Sequence, residues 1–487
     1  MKYFFNKTLK NHIFAIKPKK MNLNTTSNQS AKSKGTMSVF SLIMITSALF
    51  LTLRNVPMMT EVGMQMIFFN VIAAFAFLIP AALVSAELAT AWPHSGVYYW
   101  VSTAISPKFG FVAVWLQWAQ SMFGMTSILA YIAATMAYLI NPELAKNKYF
   151  IFGVIVIVYW FVSLLNLLGP NLSKIISKVC VVSGVFIPII ALIVFGIIYA
   201  VKGNTIHLDY SLSAQNLFPS IGESKNLIML LSFVFGFVGI EVSASHAREI
   251  NNVRRNYPLA IFVSAILGFS LTLAAGFSLS FILPIKNLDL VAGAVQGFTA
   301  FSKTFNLPWL IPLSASLIAL GAIGQISTWV VGPLRGMHEA AGEGVLPKFF
   351  TKVNGRGVPK HLIISQAIVL SFVGTFILIL KSVDIAFIIL TSIAILLYSI
   401  MYVMMFISVI KLRYTHPDTK RPYKIPGGKV GIWVIAGIGF ITVLACFFIG
   451  FIPSGISIVS YELIMIVSVG VLLLIPIMIF RKEKLNR

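Results

Sequence analysis

Runs of about 20 apolar residues recur along the whole chain, and they constrain its fold more than any other feature. A bilayer with a hydrocarbon core about 30 Å thick requires roughly 20 consecutive apolar residues in each helix that crosses it. The run YFIFGVIVIVYWFVSLLNLLG, which begins at Tyr149, is apolar on every face, whereas the strands of a membrane barrel alternate polar and apolar residues. The 487 residues, 58% of them hydrophobic and 10% charged, therefore predict an all-α polytopic membrane protein.

Twelve such runs predict twelve membrane-spanning helices. They begin near residues 37, 66, 109, 149, 177, 226, 257, 307, 361, 385, 431 and 460. When the N-terminus is placed in the cytoplasm, most of the 37 lysines and arginines fall on the inner face, and this asymmetry predicts that both termini are cytoplasmic. The net charge of +23 lies in short connections such as 411–429, so topology explains it better than nucleic acid does, with attraction to anionic lipid as an additional interpretation.

The chain divides into a basic N-terminal tail, a long membrane domain and a short C-terminal tail. Residues 1–36 contain eight lysines and no acidic residue, so we expect a disordered cytoplasmic tail, with Met21 or Met37 as alternative starts of the chain. Residues 37–480 hold the apolar runs, and 481–487 form a short cytoplasmic tail. Cys180 and Cys446 fall in or near spans, where we expect packing residues and no disulfide.

The sixth run is interrupted by residues that suit neither lipid nor a helix. Its stretch FVFGFVGIEVSASH, residues 233 to 246, contains Gly236, Gly239 and Glu241. Glycines lower the cost of unwinding a helix, and unwound backbone at membrane depth is tolerated where it is buried in protein or lines a cavity. Half-helix N-termini favour carboxylates and exposed carbonyls favour ammonium groups, so a break here matches a zwitterionic amino acid.

Glu241 allows two interpretations. A carboxylate within a membrane span faces the protein interior, where it is paired, hydrogen-bonded or protonated. It either serves as a structural acceptor that ties the broken backbone to a neighbouring helix, or takes part directly in gating or proton movement.

The first run is also interrupted, within SALFLTLRNVPMMTEVG, residues 47 to 63. Pro57 removes a backbone donor and loosens the chain near Leu53, which places Arg54 at or near membrane depth. Arg54 either extends to an interface or pairs with an acid such as Glu61, or it contacts a substrate carboxylate. Interrupted helices five spans apart are typical of two inverted five-helix repeats with a binding site near the bilayer midplane.

Three segments resemble bacterial amino acid antiporters of the amino acid-polyamine-organocation superfamily, with the greatest similarity to the glutamate:γ-aminobutyrate antiporter group. They are FVGIEVSASHAREINNVRRNYPLA (237 to 260), PAALVSAELATAWPHSGVYYWVS (80 to 102) and GQISTWVVGPLRGMHEAAGEGVLPKFFTKVNGRGVP (324 to 359). The resemblance spans about residues 37 to 480. It implies the five-plus-five inverted-repeat fold of the leucine-transporter type with repeats at about 37–201 and 226–411, two extra helices at about 431–480, alternating access and exchange of amino acids or amines.

The resemblance also implies the positions of the substrate site. These are Leu51, Thr52 and Leu53 on helix one; Gln117, Gln120, Ser121 and Met125 on helix three; Phe235, Gly236, Phe237 and Gly239 on helix six; and Trp329 on helix eight. Phe235 holds the position of an aromatic lid in arginine:agmatine relatives. From the sequence alone, Phe235 and Trp329 are also ordinary packing residues, and Gln120 and Ser121 could join helices by hydrogen bonds. Glu87 is expected at the cytoplasmic end of helix two, in a structural or inner-gate contact.

Three departures limit this transfer of roles. LTLRNVP lacks the glycine-serine-glycine run of many superfamily members and differs from the glutamate antiporter pattern at Arg54, which places the ligand preference in doubt. The chain ends at RKEKLNR, so we expect no C-terminal plug of the kind that closes the acid-resistance antiporter. VVSGVF around Gly184 lacks the lysine found in helix five of proton-coupled relatives, which favours exchange over proton symport.

Other function classes fit less well. The chain contains no HExxH, GxSxG, paired aspartates or P-loop, so we expect no enzyme activity, cofactor or metal. Broken helices suit a closing site better than the continuous pore of a channel. Together with the resemblance, these observations predict an amino acid antiporter of the bacterial inner membrane, for glutamate and γ-aminobutyrate or for neutral amino acids. The alternatives are a proton-coupled symporter or a non-transporting sensor; the expected partners are small amino acids or amines, lipid and a second copy of the chain.

Overall fold

The computed structural model describes residues 37–94, 96–220, 224–452 and 458–485, and the predicted basic tail lies outside them. This part of the chain contains twelve helices that are long and apolar enough to cross a membrane. They are α1 Val39–Thr60, α2 Gly63–Ala91, α3 Pro107–Ile140, α4 Lys148–Leu167, α5 Ile175–Val201, α6 Asn226–Glu249, α7 Val253–Ile282, α8 Leu310–Gly342, α9 Lys360–Ile379, α10 Val383–Thr415, α11 Gly428–Ile449 and α12 Val459–Phe480. The helical conformation of α5 begins earlier, at Pro170, and that of α12 spans Ile458–Leu485.

Side-chain caps define where several of these helices begin. Ser38 accepts a hydrogen bond from the Ser41 amide at 3.2 Å before α1, and Ser382 accepts one from the Ile385 amide at 3.2 Å before α10. Asn147 accepts from the amides of both Tyr149 and Phe150 before α4. Each cap satisfies an amide that the first turn of a helix leaves without an intrahelical partner, so polar residues at the ends of the apolar runs fix the helix starts.

The helices form a central group and a periphery. α3 packs against both α8 and α10, and 72% of its most apolar 18-residue stretch is buried within the protein. In α11 and α12 the corresponding values are only 28% and 17%, and large apolar side chains such as Ile441 and Leu463 are exposed. Exposed apolar side chains on a spanning helix face lipid, so α11 and α12 lie at the edge of the bundle.

Two glycines allow α5 and α8 to cross with their backbones in contact. Gly184 lies in a π-helical turn of α5, Val182–Phe186, and a Cβ atom placed on it would lie 2.1 Å from the amide nitrogen of Gly321 in α8. A Cβ on Gly321 would lie 2.2 Å from the carbonyl oxygen of Gly184. No side chain fits between these helices, which is the close packing that small residues permit in membrane proteins.

The connections that precede α3, α7 and α9 lie on the same face as the start of α1, which we call the N-side; the opposite face is the far side. Met37 forms a bridge with Ile250, in which the Met37 amide donates to the Glu249 carbonyl at 2.9 Å. The Tyr98 hydroxyl donates to Glu343 at 2.5 Å, which joins the connection after α2 to the end of α8. On the far side, the Lys148 ammonium group donates to the carbonyl oxygen of Leu380 at 2.6 Å.

Candidate functional site

α1 is broken near its middle, as its sequence predicts. Its first half ends at Phe50, Leu51 and Thr52 are extended, and Leu53–Asn55 form a 3₁₀ turn that leads into the short second half, Val56–Thr60. The Thr52 hydroxyl accepts a hydrogen bond from the Arg54 amide at 3.2 Å and so caps the restarted chain. The break therefore produces a helix C-terminus and a helix N-terminus inside one membrane span.

α6 is broken at the predicted glycines. The regular helix Ser224–Phe235 ends in a turn over residues 236–239, and a 3₁₀ helix, Ile240–Glu249, follows. Gly239 has a φ of +110°, a conformation that L side chains rarely adopt, and a Cβ there would lie 2.7 Å from the Trp329 ring. Glycine at 239 is thus required both by the backbone of the break and by the aromatic ring packed against it.

Two side chains of α8 hold the broken end of α1. The Trp329 indole donates to the Leu49 carbonyl at 3.1 Å, and the Gln325 amide donates to the Leu51 carbonyl at 2.7 Å. Carbonyl groups at a helix C-terminus have no intrahelical partner, and a buried orphan of this kind is costly. Gln325 and Trp329 therefore satisfy the carbonyls that the break exposes, and Trp329 contacts both broken helices.

A small cavity, with about 40 Å³ of space for the centre of a water-sized sphere, lies between the two breaks and α3. Its lining residues come from α1, α3, α6 and α8. They are Leu49, Phe50, Thr52, Arg54, Asn55, Gln120, Ser121, Gly124, Met125, Ile128, Phe235, Gly236, Val238, Gln325 and Trp329. Arg54 is the one charged residue among them. Its guanidinium group donates to the Ser127 hydroxyl of α3 at 2.7 Å and lies over the Phe387 ring of α10, 5.8 Å from its centroid.

The structure brings eight of the residues named from sequence to this cavity. These are Thr52, Arg54, Gln120, Ser121, Met125, Phe235, Gly236 and Trp329. Leu51, Leu53, Gln117, Phe237 and Gly239 do not line it, although Leu51 and Gly239 contact the α8 side chains that do. The Phe237 ring packs edge-on against Phe50, with 6.5 Å between the ring centroids. The binding roles of all of these residues stay predictions.

Glu241 lies beside the cavity, in a cluster of neutral hydrogen-bond donors. The hydroxyl groups of Tyr398 and Tyr402 donate to its two carboxylate oxygens, and the Gln117 amide donates at 3.2 Å. The Tyr402 hydroxyl also accepts the Gly239 amide hydrogen at 3.1 Å. This cluster ties the break of α6 to α3 and α10 through one carboxylate, and none of these partners carries a positive charge.

Glu87, the second predicted gating residue, lies near the N-side end of α2, away from the cavity. Arg413 of α10 donates to both of its carboxylate oxygens, and the Ile425 amide donates at 2.8 Å. Arg421 Nε lies 3.3 Å from the same carboxylate. Glu87 thus joins α2 and α10 to the connection between α10 and α11, and its part in gating stays a prediction.

A second group of charged residues connects α6, α8 and the connection after α2 on the N-side. Arg335 lies 3.1 Å from Glu249, and Arg248 lies 3.6 Å from Glu339. His94 accepts a hydrogen bond from Arg248 and stacks on the Tyr99 ring at 3.9 Å. Burial, and secondarily the positive charge of Arg248, lowers the pKa of His94 to about 4. These contacts, the N-side ion pairs, hold the N-side end of the broken helix α6.

Asn55, Gly124 and Gln325 line the cavity but were not predicted from the sequence. Gln325 lies one turn before Trp329 on α8, so the i, i+4 spacing of a polar residue and the candidate indole was an available signal. Asn55 follows Arg54 within the interrupted stretch. Gly124 gave no sequence signal, because only the packing of α3 against the breaks shows that its missing side chain leaves space. Among the described residues, no group of His, Cys, Asp and Glu could hold a metal ion, and both cysteines are free.

Comparison with known proteins gives consistent matches over nearly the whole described chain. The family model for amino acid permeases matches residues 35–475. An uncharacterized transporter of Legionella pneumophila is 36% identical over 86% of this chain and 90% of its own length. A glutamate/gamma-aminobutyrate antiporter of Lactococcus lactis is 32% identical over 91% and 90%, and a probable agmatine/putrescine antiporter of the same species is 25% identical over 91% and 94%.

The family match covers most of the chain, and two of these relatives exceed 30% identity over most of both chains. The twelve apolar helices agree with a membrane transporter. The chain belongs to the amino acid permease family of the amino acid-polyamine-organocation superfamily.

Proposed function

We propose that the protein is an amino acid antiporter in which the cavity between the breaks of α1 and α6 is the transport site. The observation that carries this proposal is the position of the cavity, because it lies where two membrane helices are interrupted together. Interrupted helices provide helix ends and unwound backbone that bind the ammonium and carboxylate groups of an amino acid. The relatives named as antiporters support exchange over net uptake.

The lengths of the helices support two related five-helix repeats. α1 and α6, which would correspond, are both broken, and α3 and α8 have similar lengths, with 34 and 33 residues. α4 and α9 each have 20 residues. In the proposed cycle one group of helices rocks against the other around the cavity, and a bound solute lowers the barrier to this change in both directions.

We assign the N-side to the cytoplasm of a bacterial cell and the protein to the inner membrane. The lysines and arginines of the connections concentrate on the N-side, which is the distribution found on the cytoplasmic face of membrane proteins. The N-side ion pairs then form a cytoplasmic gate, and Glu87 strengthens the same face through Arg413. A homodimer stays a prediction.

A proton-coupled amino acid symporter is the second candidate. Glu241 favours it, since a buried carboxylate surrounded by neutral donors is a suitable group to take up and release a proton. In that case the substrate moves with a proton and needs no opposing solute.

The test is uptake by purified protein in liposomes. Vesicles are preloaded with a panel of unlabelled amino acids and amines, and uptake of labelled glutamate, γ-aminobutyrate, glutamine and others is measured. Stimulation only by an internal solute indicates exchange, whereas uptake into empty vesicles under an imposed proton gradient indicates symport. Absence of both kinds of uptake for every amino acid contradicts a transporter.

The variant Trp329→Ala tests the location of the site. It removes the donor to the Leu49 carbonyl and the ring packed on Gly239, so we expect exchange to fall by about tenfold or more while insertion is unchanged. Trp433→Ala is the matched control, because Trp433 lies on the exposed face of α11 and 56% of its surface is accessible. Full exchange by Trp329→Ala would contradict the site.

A further inference from the structure

Two buried donors at the cavity lack partners. Arg54 is 6% exposed and Gln120 is 2% exposed, yet Arg54 Nε and Gln120 Nε2 have no hydrogen-bond partner in the described structure. Both residues line the cavity. Buried polar groups in proteins are almost always hydrogen-bonded, so two unpartnered N–H donors on residues that line one cavity indicate a missing acceptor.

The space between these donors is shaped by a glycine. Gln120, Gly124 and Ser127 follow one another at about one-turn intervals along α3, and Arg54 is held at the Ser127 end by its 2.7 Å hydrogen bond. The Gln120 amide oxygen lies 3.6 Å from the position that a Cβ on Gly124 would occupy. Because Gly124 has no side chain, the wall of the cavity between Gln120 and Arg54 is open.

The charge of the cavity points to the kind of acceptor. Arg54 is the one charged residue among the described lining residues, and no carboxylate of a described residue pairs with it. Glu241, the nearby acid of α6, is already bonded to Tyr398, Tyr402 and Gln117. A guanidinium group that is removed from water without a counter-ion is unfavourable, and a carboxylate compensates for it best because it accepts charge-assisted hydrogen bonds.

We propose that Arg54 and Gln120 form a carboxylate subsite above Gly124, which selects amino acids that bear a carboxylate and rejects diamines. The subsite rests on the proposed function, since it is part of the same transport cavity. The subsite also distinguishes the substrates for which the two types of relative are named. Glutamate and γ-aminobutyrate each have a carboxylate, whereas agmatine and putrescine have none. In this chain the cation in the cavity repels the second positive charge of a diamine.

Binding is measured in detergent on the full-length protein, from the ligand-dependent shift of thermal unfolding. The probes are two matched pairs: γ-aminobutyrate with putrescine, which carries an ammonium in place of the carboxylate, and arginine with agmatine. Glutamate is a fifth probe. We expect wild-type protein to bind at least one carboxylate-bearing probe and to bind its diamine counterpart at least about tenfold more weakly, as loss of a charge-assisted pair implies.

Four variants locate the effect. Arg54→Met weakens binding of the carboxylate probe by about tenfold or more, and Arg54→Lys restores part of it because the charge returns without the planar fork. Gly124→Ala narrows the subsite without a change of charge, and its Cβ has room in the protein, so binding weakens while the fold persists. Arg255→Met, at an exposed position at the start of α7, leaves binding unchanged.

Three results overturn the subsite. The first is that wild-type protein binds putrescine as tightly as γ-aminobutyrate and agmatine as tightly as arginine. The second is that it binds no carboxylate-bearing probe. The third is that both Arg54→Met and Gly124→Ala bind the probes like wild type. Exchange in liposomes separates the two proposals. Binding without exchange contradicts the antiporter and leaves the subsite standing, whereas normal exchange with unchanged binding by the Arg54 and Gly124 variants contradicts the subsite alone.

Discussion

Glu241 shows how a single residue can hold a broken membrane helix in place. Its carboxylate accepts from Tyr398 and Tyr402, two hydroxyl groups one turn apart on α10, and Tyr402 in turn accepts the Gly239 amide of the break. The connection from the break to α10 therefore passes through hydroxyl groups that are both donors and acceptors. Gain or loss of a proton by the Glu241 carboxylate alters this connection directly. The structural and the proton-linked interpretations therefore involve the same contacts.

Replacement of Glu241 by glutamine tests this connection. Glu241→Gln keeps the size of the side chain and one carbonyl acceptor, but it removes the charge that strengthens the hydrogen bonds, each worth about 1.5–3 kcal/mol with a charged partner. We expect the variant to be inserted, to exchange several-fold more slowly, and to lose any pH dependence of exchange between pH 5.5 and 8. Exchange of labelled substrate is measured across this range in liposomes. Glu143→Gln, at an exposed position on the far side, is the control.

A rate and a pH profile like those of wild type would show that the charge of Glu241 is dispensable. A pH-independent wild type with a slow Glu241→Gln variant would retain the structural role and reject the proton-linked one.

Residue identities at the site were only partly predictable. Arg54 and Trp329 were accessible to sequence reasoning, because a charge in an apolar run and an indole in a familiar motif are visible locally. The hydrogen bond from Gln325 to the Leu51 carbonyl joins positions 274 residues apart. No period or propensity in the sequence reports such a pair, since it depends on how α8 packs on α1.

At the scale of elements, the two breaks depend on different local chemistry. In α1 the chain restarts through a threonine cap and Pro57, whereas in α6 it turns through Gly239 at positive φ. Trp329 packs against the second break and bonds to the first, so the geometry of one constrains the other. Because the helix ends on both sides of the cavity are rigid, their backbone dipoles are positioned more precisely than those of a flexible loop would be.

Gly239→Ala tests the turn in α6. The left-handed conformation costs a non-glycine residue about 1–2 kcal/mol, and a Cβ 2.7 Å from the Trp329 ring adds a steric cost of about 1–3 kcal/mol. We therefore expect a lower unfolding temperature and a loss of exchange. Thermal unfolding in detergent measures the first and uptake by liposomes the second.

Gly437→Ala is the control for this substitution. It lies within α11, where a new Cβ would meet nothing within 4 Å, and alanine favours a helix by about 0.8–1 kcal/mol. Equal unfolding temperatures for the two variants would mean that the break relaxes around alanine, which would reject a rigid turn.

The element order was largely predictable from hydropathy. The predicted starts near 109, 149, 226 and 361 lie within two residues of those of α3, α4, α6 and α9. The starts near 66, 257, 307 and 431 are three or four residues away from the starts of the helices Gly63–Ala91, Val253–Ile282, Leu310–Gly342 and Gly428–Ile449. Helix ends are set by capping and packing as well as by apolar length, so hydropathy alone locates them less sharply. No sequence pattern predicted the 3₁₀ form of Ile240–Glu249.

At the scale of the molecule, the N-side is held by charged groups from distant parts of the chain. Arg248 and Glu249 follow the break of α6, Arg335 and Glu339 lie on α8, and His94 follows α2. A transporter that opens toward the N-side must separate these groups and hydrate them. Surface and half-buried ion pairs of this kind are modest in energy, which suits a contact that breaks in every cycle.

The low pKa of His94, about 4, makes one contribution of this region dependent on pH. Its pKa in the folded protein lies below the ordinary value of 6.5, so the folded state favours neutral His94. The stabilisation is complete above pH 6.5 and is lost as the pH falls from 6.5 toward 4. We expect a smaller fall in unfolding temperature between pH 7 and pH 5 for His94→Gln than for wild type. Thermal unfolding at both pH values measures this, and identical falls would contradict it.

The backbone contact between Gly184 and Gly321 has a mechanical consequence. Helices that interlock through large side chains resist rotation, because each ridge must climb out of its groove. α5 and α8 touch at a point where neither has a side chain, and α5 has a π-helical turn there. At that point no side-chain ridge opposes rotation, so the crossing fixes a short separation of the two axes and restrains their relative angle less than interlocked side chains would.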